Sequence, residues 1–162
     1  MTGEHMDRTR DERDIERALI AFARAMDYHD WDAMSEILSA DAVGDFGTGP
    51  LQGSDTIIAM IRGFLDNCGA TQHLIGNVLV DIDGDLATSR AYVQDLHLSR
   101  SNPELTFHTL GDYHDRWERR EGRWRLVERI KDNRATVGSL EVFAAAENIA
   151  EDHGSVRDTH CR

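Results

Sequence analysis

The sequence predicts an α+β domain in which three N-terminal helices precede a long antiparallel meander, curved into a cone that encloses a pocket. Three observations carry this expectation. Apolar residues recur at helical spacing in the first part of the chain. From Thr71 onward the texture changes to runs rich in Leu, Ile and Val. Asp83-Gly84-Asp85 and Glu121-Gly122 mark tight turns between runs long enough to build a deep sheet.

The elements follow in order. Residues 1–10 predict a flexible arm, and the domain is expected to occupy 11–150, with a flexible tail over 151–162. From Asp11 the apolar positions Ile15, Ala18, Leu19, Phe22, Ala25 and Met26 share one helical face, and the helix ends near Tyr28. Asp30 or a neighbour can cap a short second helix carrying Trp31, Met34, Ile37 and Leu38. A short strand over 42–46 leads to a loop through Gly47, Gly49, Pro50 and Gly53. Ser54 is a good cap for a third helix with Ile57, Ile58, Ile61, Phe64 and Leu65, which Gly69 should stop. Strands are then expected over 71–82, 86–99, 105–119 and 123–135. A last apolar stretch, 140–149, can close the mouth of the cone or pack on a partner subunit.

Composition narrows the function classes. A chain of 162 residues is one domain long and can bury a core around a ligand pocket. The net charge of −12 disfavours nucleic acid and anionic membrane surfaces as partners, because phosphate recognition needs a basic face. No apolar run approaches the length of a membrane span, and the N-terminus is too charged for a secretory signal. Cys68 and Cys161 are the two cysteines, which argues against a disulfide framework and fits a cytoplasmic location. No tight His, Cys and Asp cluster has ligand spacing, so neither a metal nor another cofactor is expected.

The stretch Asp27-Tyr28-His29-Asp30-Trp31-Asp32 gathers chemistry at a helix-to-helix corner. Asp27 falls at a helix C-terminus, where the partial negative charge of the helix end disfavours a carboxylate. Period-2 alternation puts His73 on one strand face with Ile75 and Asn77. It groups His97 with Ala91, Val93 and Asp95, Tyr113 with Phe107, Thr109 and Gly111, and Arg129 with Arg125 and Val127. Asp95 and Asp45 are further acids that can reach a pocket.

These pieces together resemble a known family. Asp27 before Asp30-Trp31-Asp32, then Thr71-Gln72-His73-Leu74-Ile75-Gly76, then Tyr113 followed by Trp117-Glu118-Arg119-Arg120-Glu121-Gly122-Arg123-Trp124, resembles the SnoaL-like branch of the nuclear transport factor 2-like superfamily. The likeness covers about 11–145 and is nearest the group of scytalone dehydratase, hexachlorocyclohexane dehydrochlorinase and bile acid 7α-dehydratase. The resemblance implies a cone-shaped fold and a catalytic dyad of Asp27 and His73. It also implies supporting roles for His97 and Arg129 at the leaving group, and Phe22, Tyr28, Phe46, Val93 and Tyr113 as substrate contacts. The chain departs from scytalone dehydratase at Met26, where that enzyme carries a tyrosine, and from the dehydrochlorinase at Phe22 and near Gly44, where that enzyme carries a lysine and a tryptophan.

The function expected is therefore a cofactor-independent lyase of dehydratase type, taking a proton from a small, apolar, cyclic substrate. A polyketide cyclase or hydroxylase, a ketosteroid-isomerase-like isomerase, and a non-catalytic binding module are the alternatives on the same fold. A homo-oligomer, dimer or trimer, is expected because both faces of 74–82 are apolar.

Overall fold

The structure, a computed structural model, describes residues 3–102 and 104–144, with side chains described from residue 7. In chain order the elements are α1 (Gly3–Tyr28), α2 (Trp31–Ile37), β1 (Leu38–Asp45), β2 (Pro50–Gln52), α3 (Ser54–Leu65), β3 (Cys68–Asp83), β4 (Leu86–Ser99), β5 (Thr106–Arg120) and β6 (Arg123–Gly138). A 3-10 turn, Leu140–Phe143, follows. The three helices lie on a curved six-stranded sheet of order β2-β1-β6-β5-β4-β3. The meander from β3 to β6 is antiparallel, as its hairpin turns require. The sheet as a whole is mixed and unclosed, because β1 joins β6 in parallel.

α1 buries the expected stripe, with Ile15, Leu19, Phe22, Ala25 and Met26 all inside the core. It begins earlier than expected, so most of the segment read as an arm is helical. Exposed pairs one turn apart, Arg8–Glu12 at 3.1 Å and Arg10–Asp14 at 3.9 Å, support these early turns. The β5–β6 hairpin grips the helix at Asp11, whose carboxylate accepts from Arg119 at 2.7 and 3.0 Å and from Trp124 Nε1 at 3.2 Å. Arg119 also lies 4.4 Å over the Trp124 ring, so the Trp-Glu-Arg-Arg-Glu-Gly-Arg-Trp motif is a clamp on α1.

At the corner His29 takes a left-handed backbone, and Asp30 caps α2 by accepting from Ala33 N–H at 3.0 Å. Pro50 falls in β2, a strand paired only with β1, where its missing N–H does no harm. Gly53 rather than Ser54 precedes the first turn of α3. Gly69 does not stop that helix, which ends at Leu65. It lies in β3, where a Cβ would sit 3.2 Å from the carbonyl oxygens of both Leu98 and Ser99, so its role is close strand approach.

Two bulges change which side chains face inward. β3 slips register between Gly76 and Leu79, with Asn77 at a φ of 50°. Asn77 therefore turns out instead of sharing a face with His73, and Val78, Val80 and Ile82 turn in. β6 slips between the partners of Arg116 and Trp117, leaving Val127 unpaired. Arg129 consequently shares its inward face with Leu126 and Trp124, and not with Arg125 and Val127. On β4 and β5 the alternation holds without interruption near the site, and Ala91, Val93, Asp95 and His97 on one strand and Thr109 and Tyr113 on the other are buried.

The 3-10 turn closes over the open end of the sheet. Phe143 meets Phe64, His97 and Phe107 ring to ring, at 5.1, 5.1 and 5.2 Å. The rest of the apolar stretch to Ile149, and the 151–162 tail, lie outside the described residues.

Candidate active site

A cavity of about 330 Å³ opens between α1, α3, the 3-10 turn and the inward faces of β3 to β6. Its walls are mostly apolar, with Met26, Met60, Phe64, Phe107 and Phe143 prominent. The polar groups converge from neighbouring strands: His73 from β3, Asp95 and His97 from β4, Thr109 from β5 and Lys131 from β6.

Asp27 and His73 meet although 46 residues separate them. His73 Nδ1 lies 2.7 Å from Asp27 Oδ1. The other carboxylate oxygen accepts the backbone N–H of His73 at 3.0 Å, and the Thr71 hydroxyl donates to Oδ1 at 3.1 Å. This accounts for an acid in the last turn of α1: it reaches across to β3, where three donors hold it. Asp27 stands behind the imidazole and does not line the cavity, whereas His73 does. With its Nδ1–H given to a carboxylate, a neutral His73 keeps its lone pair on Nε2.

His97 sits beside it, ring centroids 5.3 Å apart and nearly perpendicular. Burial pushes the His97 pKa down to about 4, against the pull of nearby Asp95. Its Nδ1 is 3.3 Å from the Phe107 carbonyl oxygen, so the neutral ring donates there and leaves Nε2 as an acceptor. In this state His97 offers an acceptor to a substrate, whereas support of a leaving group, the role the resemblance implies, would ask it for a proton.

Asp95 is almost wholly enclosed. Burial alone would raise its pKa, but Lys131 Nζ at 2.6 Å and the Thr109 hydroxyl at 2.7 Å outweigh it and hold the carboxyl below its ordinary value. Thr109 N–H adds a third donor at 2.9 Å. Tyr113 is buried beside this group, and burial raises its phenol pKa. Cys68 is likewise buried, its thiol pushed up to about 11 by desolvation.

Several expected site residues stand elsewhere. Arg129 does not line the cavity: it is buried one pleat deeper, bound at 2.8 Å through both Nε and Nη2 to Asp115. Its guanidinium lies 4.4 Å from the Phe22 ring and 3.9 Å from the Tyr113 ring. Phe22 is accordingly a core residue packed on Arg129, and not a cavity wall. Tyr28 is 70% exposed, because α1 turns its last residue outward. Val93 is buried on the inward face of β4 but is absent from the cavity lining. Phe46 and Tyr113 do line it. Asp45 turns its carboxylate back on its own loop, accepting from Gly47 N–H at 2.8 Å, and is not at the cavity.

The fold also gathers the ligand atoms of His73, Asp95 and His97 within 4.8 Å of one another. Chain spacing gave no sign of this trio, because β3 and β4 supply it across a hairpin in which His73 and Asp95 are direct partners. These are donor types that bind divalent metals. Asp95, however, already has the Lys131 ammonium as its counter-charge.

Lys131 was not anticipated. The available signal was compositional: of the 18 lysines and arginines, Lys131 is the single lysine. Its inward direction depends on the β6 bulge, which no periodicity reveals.

An apolar cavity under a curved α+β sheet, with a partly buried acid–imidazole pair whose imidazole reaches its wall, defines a pocket of the nuclear transport factor 2-like kind. The chain belongs to the SnoaL-like domain family, whose model matches residues 7–130. An uncharacterized Mycobacterium tuberculosis protein, Rv2910c, is 26% identical over 126 residues, covering 75% of this chain and 84% of that protein. A Novosphingobium aromaticivorans structure, provisionally named an aromatic ring hydroxylase, superimposes with a TM-score of 0.76 at 26% identity, covering 84% of this chain and 98% of that one. A second structure from that organism, provisionally named a scytalone dehydratase, gives 0.75 at 18% identity over 86% and 92%. Among the described residues no helix is long and apolar enough to cross a membrane.

Proposed function

We propose that this SnoaL-like protein is a lyase of dehydratase type, which removes a carbon-bound proton from a small, apolar, cyclic substrate through the Asp27–His73 dyad. The observation that carries this reading is the 2.7 Å contact between Asp27 and His73 Nδ1, made behind a ring that faces the cavity. His73 Nε2 takes the proton, and Asp27 fixes the tautomer and balances the imidazolium. Expulsion of a hydroxyl on the neighbouring carbon completes the elimination, and the proton held by His73 leaves with it as water. Return of the same proton to another carbon would give an isomerase instead. Proton transfer of this kind asks for no cofactor.

Proton abstraction is testable without the natural substrate. In deuterium oxide the wild type should catalyse exchange at the activated carbon of 2-tetralone, a bicyclic ketone suited to an apolar pocket, read by mass spectrometry. His73→Ala and Asp27→Asn should keep the fold and slow exchange by about 10²-fold. Exchange that survives both substitutions removes the dyad from the chemistry.

The reading includes a homo-oligomer. The outer face of the sheet exposes Leu74, Leu79, Tyr92, Leu96 and Leu110 together, where a solvated face would alternate to polar residues. Sedimentation at micromolar concentration should give a dimer or trimer, and a monomer there rejects this part.

A further inference from the structure

We infer that Lys131, held by Asp95 and Thr109, is the oxyanion donor of the cavity, and that the substrate carries a carbonyl, enolic or phenolic oxygen that it grips. The inference rests on the proposed proton abstraction and supplies the charge acceptor which that step requires.

An ammonium has three protons in tetrahedral directions. At Lys131 one goes to Asp95 Oδ2 at 2.6 Å and a second to Thr109 Oγ1 at 3.0 Å. Thr109 can accept there because its own hydroxyl proton is given to Asp95 Oδ2 at 2.7 Å. The third Lys131 proton has no partner among the described residues, and Lys131 is part of the cavity wall. Two protein acceptors thus fix the ammonium and leave one donor for a ligand. Arginine is used 17 times in this chain and lysine once, at this position. A planar guanidinium fork suits a bidentate carboxylate, as Arg129 shows on Asp115 two residues away, whereas a compact ammonium suits a single oxygen between two fixed acceptors.

Tyr113 and Asn133 also line the cavity, but their donors are neutral, and the other charged or imidazole groups do not supply a cation. Arg129 is committed to Asp115 and stands outside the lining. His97 offers an acceptor, and His73 is the base. Among the described residues that line the cavity, Lys131 is the only arginine or lysine.

The electron bookkeeping closes. The C–H bond breaks toward His73 Nε2, and its electron pair moves through the adjacent carbon to the carbonyl oxygen, giving an enolate that accepts from Lys131 Nζ–H. When the enolate collapses, C=O re-forms, C=C forms, the bond to the leaving hydroxyl breaks, and the imidazolium proton departs with it as water. Lys131 remains an ammonium throughout, so Asp95 keeps its counter-charge.

A phenolate mimics that enolate, and 4-nitrophenol reports its own ionisation by visible absorbance. Titrated with the protein, bound 4-nitrophenol should show an apparent pKa about 1 unit or more below that of the free dye, as expected beside a fixed cation. His73→Gln should retain that lowering, whereas Lys131→Met should abolish it. If Lys131→Met is poorly folded, the double variant Lys131→Met with Asp95→Asn removes both charges together and should also abolish the shift. No binding of the dye to wild type, or an undiminished shift in the folded variant, overturns the inference. The base reading fails separately: loss of the His73 dependence of 2-tetralone exchange, with the phenolate shift intact, leaves Lys131 in place and removes the dyad.

Discussion

Two acid–cation pairs stand side by side inside the sheet. Asp115 binds Arg129 and Asp95 binds Lys131, in both cases with the cation on β6. Their surroundings separate them. Arg129 is 1% exposed, stacked between Phe22 and Tyr113, and its Nη1 has no hydrogen-bond partner among the described residues. Asp115 is tied further to Ser89, which also accepts from Trp117 Nε1. Lys131 belongs to the wall of an open cavity, with one proton left over. Depth in the cone, together with the choice of a guanidinium fork or a compact ammonium, separates the two pairs. Where the core is full the ion pair is enclosed on all sides, and two residues along β6 the second pair faces the cavity.

The largest expected effect tests that division. Arg129→Met strands a buried carboxylate with no access to water and should cost about 3–5 kcal/mol in urea unfolding. Lys131→Met leaves Asp95 two hydrogen bonds from Thr109 and a cavity that water can enter, and should cost about 1–2 kcal/mol. Equal losses would mean that both pairs are structural and that depth does not separate them.

The same contrast explains what was legible in the sequence. The helical stripe of α1, the meander and the pairing of Asp27 with His73 follow from patterns that a chain displays directly: apolar period, turn residues, and a resemblance carried by short motifs. Arg129 was misplaced for a physical reason. Alternation grouped it with Arg125 and Val127, but the bulge at Val127 sets its inward face and the stacking of Phe22 against it sets its depth, and both are tertiary events. Lys131 follows the same bulge, so its arrival in the cavity was equally hidden. Tyr28 was misassigned because the one-residue difference between Asp27 and Tyr28 on a helix is a rotation of about 100°, which carries one side chain to β3 and the other to solvent. Asp95 was legible as an acid able to reach a pocket on the face of His97, but its partners Thr109 and Lys131 emerge only from the β4–β5–β6 register.

The cavity side also has a titrating member, His97. Burial holds its pKa near 4 in the fold, below an ordinary value of 6.5, while Asp95 pulls upward and neighbouring His73 and Lys131 push down. Between those two values the unfolded chain binds the proton and the folded one does not, so acidification favours unfolding. The stability associated with a neutral His97 is fully present above about 6.5 and is lost as pH falls toward about 4. Asp95, whose folded value lies below the carboxylate reference of 3.8, adds its own loss only at still lower pH, so the two limbs separate. Unfolding free energies from urea titrations between pH 7 and pH 4.5 should fall for wild type by an amount on the order of 2–3 kcal/mol. His97→Gln retains a donor for the Phe107 carbonyl and cannot titrate, so its profile should be nearly flat over that window. A wild-type slope that persists in His97→Gln would place the titrating group elsewhere and would return His97 to the ranks of proton donors at the cavity.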